Sequence, residues 1–227
     1  MNRPTNNGRI GSQRLLQVAV AEYPDLLNQA LKKAGAISNS ETVAWTSPLS
    51  KDQFKEFQDQ AALEKIGVAN FITYPLSKFW PKGGPVWDAT GITNSGRSVL
   101  VEAKAHIPEA ASPASGASPK SLAHIEASLE AARKHYAPKS TAVWSGTFYQ
   151  YANRLAHQYY LQKLNNIPSL LIFLNFINAT EIDGPTSELE WEGAVRLIHA
   201  VLGLPKSLQS HGIYHAYIDA KSINVRA

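Results

Sequence analysis

With 227 residues, 44% of them hydrophobic and 18% charged, the chain is long enough to bury a sizeable core and too apolar for global disorder. Its net charge of +4 and pI near 9.2 allow a polyanionic partner without demanding one, since dispersed surface lysines give the same totals. Without cysteine it can build neither disulfides nor thiolate metal sites, which fits a cytoplasmic setting.

The polar start MNRPTNNGRIGSQR and the interruption of LLQVAVA by Gln17 argue against a signal peptide, although Ala-Val-Ala at 19–21 imitates a cleavage site. Apolar periodicity predicts a helix over 12–34, with Ser12 as its cap, Gly35 past its end and a break or kink at Pro24. A loop containing Trp45 and Pro48 follows, then a second helix from Ser50 to Gly67, so that 1–67 reads as a helical N-terminal section. Residues 68–80 are aromatic and β-branched and predict a strand. PKGGP turns the chain, and 85–92 and 97–106 flank TNSG as a hairpin. The small-residue, proline-rich segment 107–121 reads as a surface loop. Helical patterns at 119–135 and 146–165 precede an apolar strand at 168–178, which is too short to span a bilayer. A helix at 187–202, closed by Gly203, and a strand at 212–220 complete the chain. The expectation is one α/β domain with a mixed sheet, 68–227 forming its core, and at least one parallel pairing across the two-helix crossover.

Within 97–106, alternation sends Val99, Val101, Ala103 and Ala105 to one face of the strand and Leu100, Glu102, Lys104 and His106 to the other. The hairpin brings Asp88 to the same neighbourhood, in a register that one residue's slip would change. Two carboxylates and a lysine on one side of a sheet suit Mg²⁺ or Mn²⁺, which takes oxygen ligands, polarises a phosphoryl oxygen and acidifies bound water. The lysine can orient or deprotonate that water, or stabilise developing negative charge. An ordinary cross-strand salt bridge on a solvated face is the competing reading. The nearly apolar strand, the acid on the neighbouring strand and the helices that follow all weigh against it.

PVWDATG followed by SVLVEAKAHIPE resembles the PD-(D/E)XK nuclease superfamily, with its restriction-endonuclease-like core. GSQRLLQVAV at 11–20, FWPKGGPVWDA at 79–89, YQYANRLAHQYYL at 149–161 and IPSLLIFLNFI at 167–177 extend the likeness to a bacterial family of uncharacterised proteins assigned there. The resemblance implies a metal-dependent nuclease hydrolysing phosphodiester bonds in nucleic acid, in the first place DNA. Asp88 and Glu102 would be metal ligands, the Ala103 main-chain carbonyl a further ligand, and Lys104 the water-activating residue. It further implies that Gln150 lines the site and that one N-terminal acid among Glu22, Glu56 and Glu64, Glu56 first, joins it, and it allows a homodimer. Trp87 stands where the motif expects proline, with Pro85 the nearest. The alternative is a catalytically inactive module of the same fold that binds nucleic acid or a protein partner.

Other candidates surround this motif. Gln150, Asn153, Arg154 and His157 form a polar stripe at helical spacing, where Arg154 can grip a phosphate bidentately or simply face solvent. Asp219-Ala220-Lys221 repeats the carboxylate-x-lysine spacing without an acid on a hairpin partner. Trp80, Trp87 and Trp144 are candidates for base stacking or for core packing. Lys78, Lys82, Arg97, Lys120 and Arg133 form a candidate basic rim for backbone phosphates. The seven histidines show no zinc-type spacing.

Overall fold

The computed structural model describes residues 11–225, and the first ten residues of the N-terminal section lie outside that range. Of the break or kink expected at Pro24, the structure has the break, which divides 12–34 into α1 (Ser12–Glu22) and α2 (Pro24–Lys33). Pro24 has no N–H for a continuing helix, so the chain breaks at Tyr23 and Pro24 starts the second helix at its first position. Gly11, not Ser12, occupies the cap position of α1.

The strand meander begins earlier than the sequence pattern suggests. β1 (Val43–Ser47) lies in the stretch expected to be a loop of the helical section and pairs antiparallel with β2 (Ala89–Thr93). The helix expected from Ser50 to Gly67 shrinks to α3 (Asp59–Lys65), because Gln53 and Phe54 both adopt left-handed backbone angles that end helical propagation. Residues 68–80 form no strand; they contain a 3₁₀ turn and the four-residue α4 (Leu76–Phe79). Pro75 offers no ladder donor, and the aromatics do not alternate: Phe71 is exposed while Phe79 and Trp80 are buried.

The remaining elements follow the sequence pattern: β3 (Ser98–Lys104), α5 (Pro119–Tyr136), α6 (Tyr149–Tyr159), β4 (Ser169–Ile177), α7 (Glu188–Leu202) and β5 (Ile213–Asp219). They build an open five-stranded sheet in the order β1-β2-β3-β4-β5, antiparallel across β1–β3 and parallel across β3–β5. The β3–β4 connection through α5 and α6 is the expected parallel crossover.

Helices cover both faces. Val99, Val101, Ala103 and Ala105 join Leu170, Ile172 and Leu174 in one cluster with α1 and α2. Leu100, Leu171 and Phe173 belong to the other, with α5 and α6. Each fully buried branched side chain contributes about 1.5–3 kcal/mol, so these layers carry most of the driving force for folding. Among the described residues, no helix is long and apolar enough to cross a membrane.

Candidate functional site

β3 places Glu102 and Lys104 on the α6 side, two residues apart as alternation requires, and their side chains meet with Nζ 2.5 Å from Oε1. Asp88 sits one residue before β2, where its N–H donates to Val101 O at 3.1 Å. Its Oδ2 accepts the Ala103 N–H at 2.7 Å. The two-residue repeat of strand hydrogen bonding turns the Ala103 carbonyl to that same β2 side. Asp88 and Glu102 are each only 3% exposed. Burial works to lower the pKa of Lys104, but the Glu102 and Asp88 carboxylates outweigh it and hold the value above its ordinary level. Lys104 is thus a charged donor, better suited to stabilising negative charge than to taking a proton from water.

Three members of the polar stripe on α6, Asn153, Arg154 and His157, are buried, which corrects the solvated-face reading for them, while Gln150 is exposed. Arg154 does not reach outward for a phosphate. Its Nε donates to Glu102 Oε2 at 2.7 Å, one terminal nitrogen donates to Val86 O at 3.0 Å, and the other to Asn153 Oδ1 at 2.8 Å. The guanidinium also lies 5.0 Å from the centre of the Trp87 ring. Gln150 does line the site, with Oε1 3.4 Å from Lys104 Nζ. His157 is enclosed by Trp80, Trp87 and Phe79 and donates Nδ1–H to Asn153 O at 2.9 Å; burial pulls its pKa down to about 4.

Beside Lys104 lies a narrow cavity of about 30 Å³, room for roughly one water, bordered by Gln150, Tyr151, Asn175, Trp191 and His215. The segment read as a surface loop contributes to its lining: Ala110 borders the cavity, and Ser112 accepts the Phe148 and Gln150 amides at 3.1 and 2.9 Å. Sequence reasoning missed the network that lines this cavity. Pro205 O can only accept, so His199 Nδ1 donates to it (2.7 Å) and leaves Nε2 to accept from the Tyr151 hydroxyl (2.8 Å). His215 Nε2 then donates to the Tyr151 oxygen (3.1 Å), and Asn175 Nδ2 donates to His215 Nδ1 (3.4 Å). Burial pushes the His215 pKa down to about 3 and lowers that of His199, so both rings stay neutral. These residues come from α6, β4, α7 and β5, a convergence with no local signature in the sequence. Gln158, also unremarked in the sequence, is fully buried and exchanges hydrogen bonds with Ser169.

The other candidates lie around this site or elsewhere in the fold. The isolated Phe57–Trp87 bridge carries Glu56 to the flank of β2, where Gln13 of α1 donates to it at 2.9 Å. Among the described residues, no group of three His, Asp or Glu is placed to hold a metal ion. Asp219 accepts from the Lys221 amide and from Asn178, which makes the rival motif a turn cap. Trp80, Trp87 and Trp144 are buried core residues, not stacking platforms. Of the basic rim, Arg97 is held by Glu41 and Arg133 by Glu130, while Lys78, Lys82 and Lys120 are exposed. His106 lies 3.3 Å from Glu109 at the edge of β3.

Two carboxylates and a carbonyl suit a hard cation in kind. The charges of Asp88, Glu102, Lys104 and Arg154 cancel, however, and each Glu102 oxygen already faces a cation. A divalent ion therefore has to compete with Lys104 or Arg154 for Glu102. Comparison with protein-family models, curated proteins and solved structures returned no match.

Proposed function

We propose that the chain is a divalent-cation-dependent nuclease of the PD-(D/E)XK type, hydrolysing phosphodiester bonds in DNA. The observation that carries this reading is the convergence of Asp88 on the Ala103 amide at 2.7 Å beside the Glu102–Lys104 pair at 2.5 Å. The mixed sheet, an antiparallel meander followed by a helical crossover to a parallel strand, is compatible with this reading. Asp88, Glu102 and the Ala103 carbonyl would hold Mg²⁺ or Mn²⁺, which supplies an acidified water and a polarised phosphoryl oxygen. Lys104 contributes a fixed positive charge toward the developing phosphorane, and Gln150 restrains its ammonium.

A second reading keeps the fold without the catalysis. It is favoured by Arg154, whose contact with Glu102 neutralises a would-be ligand inside the protein. Calorimetry with Mn²⁺, paired with cleavage of plasmid and single-stranded DNA, separates the two. On the nuclease reading, Asp88→Asn weakens Mn²⁺ binding at least tenfold and abolishes cutting. Lys104→Ala keeps the metal but cuts slower by on the order of 10²–10³. A folded wild-type protein that neither binds Mn²⁺ nor cuts DNA establishes the non-catalytic reading instead.

A further inference from the structure

Helix α7 buries Trp191, Ile198 and Leu202 against the sheet and turns an apolar stripe outward. Leu189 is 74%, Leu197 60% and Val201 46% exposed, and at 3.6 residues per turn they share one side with Gly193 and Ala200. Gly193 is conspicuous there. Glycine inside a helix is unfavourable relative to alanine by about 1 kcal/mol. Yet a Cβ on Gly193 would meet nothing within 4 Å, so packing within the chain does not require its absence. A glycine in the middle of an exposed apolar stripe permits another backbone to approach closely.

The charges beside the stripe indicate what that other backbone is. Glu192 and Arg196 lie along a single flank of α7, 3.6 Å apart. When two copies of a helix pack antiparallel about a two-fold axis, like flanks face each other with their sequence order reversed. Each Glu192 then meets the other copy's Arg196, Leu189 meets Ala200, and the two Gly193 backbones approach near the axis. The antiparallel helix dipoles also favour this arrangement. A two-fold parallel pairing would instead bring opposite flanks together and leave Glu192 away from the other copy's Arg196.

We propose that the exposed face of α7 is a self-association surface, on which a second copy of this chain docks its own α7 antiparallel. The fifteen-residue helix is about 22 Å long, so a single helix pair covers less than the ~800 Å² per partner of a stable dimer. The association is therefore weak and concentration-dependent.

Sedimentation velocity of the full chain from about 10 µM to about 1 mM provides the test. The expected result is a monomer that passes reversibly to a dimer in the upper part of this range. Leu197→Glu, at an exposed position, should leave the fold intact and shift the midpoint at least tenfold upward. Arg196→Glu should weaken the dimer likewise, and Glu192→Arg combined with Arg196→Glu should restore it. Because the chain has no cysteine, single cysteines report geometry without background. Gly193→Cys should crosslink under mild oxidation and Leu189→Cys should not. A protein that stays monomeric throughout, or a dimer indifferent to Leu197→Glu, overturns the proposal. Crosslinking of Leu189→Cys in preference to Gly193→Cys overturns the antiparallel arrangement.

Discussion

One residue separates two different environments along β3. Val101 and Ala103 face α1 and α2, where they pack against Leu170, Ile172 and Leu174 and need from their neighbours only volume and apolarity. Glu102 and Lys104 face α6, where each polar atom depends on a particular partner, and where Arg154, Gln158 and His157 are all nearly inaccessible to solvent. The first side stabilises the fold non-directionally and tolerates swaps that conserve volume. The second contributes little net stability while intact and costs heavily when one member is removed.

Arg154 should expose that difference most sharply. Arg154→Met leaves a buried carboxylate short of a cation, and denaturant unfolding should show a loss of about 3–5 kcal/mol. Glu102→Gln on top of Arg154→Met should recover a large part of it, because the charge that had been left alone is then gone as well. Leu174→Ala on the apolar side should also cost about 2–5 kcal/mol, but as a cavity that no charge change repairs. Full additivity of the Glu102 and Arg154 changes would remove the distinction between the faces.

Acid gives a smaller, graded version of the same contrast. His157 and His215 are neutral in the folded protein, with pKa values near 4 and 3, but titrate near 6.5 once unfolded. Since the unfolded chain binds those protons first, their contribution is present above pH 6.5 and is lost as pH falls toward 4 and then 3. Hydrogen exchange should therefore show α6 and β5 losing protection before α1 and α2 as pH drops through this window, and His215→Gln should flatten the slope. Simultaneous opening of both faces would count against it. The smallest expected effect is at the rival motif. Asp219→Ala removes a turn cap worth about 1 kcal/mol and should leave Mn²⁺ binding and DNA cleavage unchanged.

The sequence disclosed these regions unequally. The alternation in VLVEAKA assigned every β3 side chain to its observed face, because strand periodicity is a local property. Asp88 was legible through the hairpin. β1 was not: VAWTS is five residues long, ends beside Pro48 and takes its place only by pairing with β2. The segment 68–80 misled for the opposite reason, as its composition favours a strand while Pro75 and the tertiary docking of Phe79 and Trp80 decide otherwise. Arg154 shows where a short polar stripe stops being informative. Helical spacing put Asn153, Arg154 and His157 on one side of α6, but that side proved to be buried only because β3 presents Glu102 to it. The continuation of that stripe to Gln158 was the available hint.

The line from Asn175 through His215, Tyr151 and His199 to Pro205 has a further consequence. Because it starts at an amide and ends at a carbonyl, every joint has one permitted direction. It works as a key cut in proton positions that fits β5, α6 and α7 together in a single alignment. Were α7 to slide by one turn, Val195 or Gly203 would stand where His199 now accepts, and the Tyr151 proton would have no destination. The cavity wall beside Lys104 is thus locked in place by chemistry as well as by shape, and adding a proton anywhere along the line would unlock it.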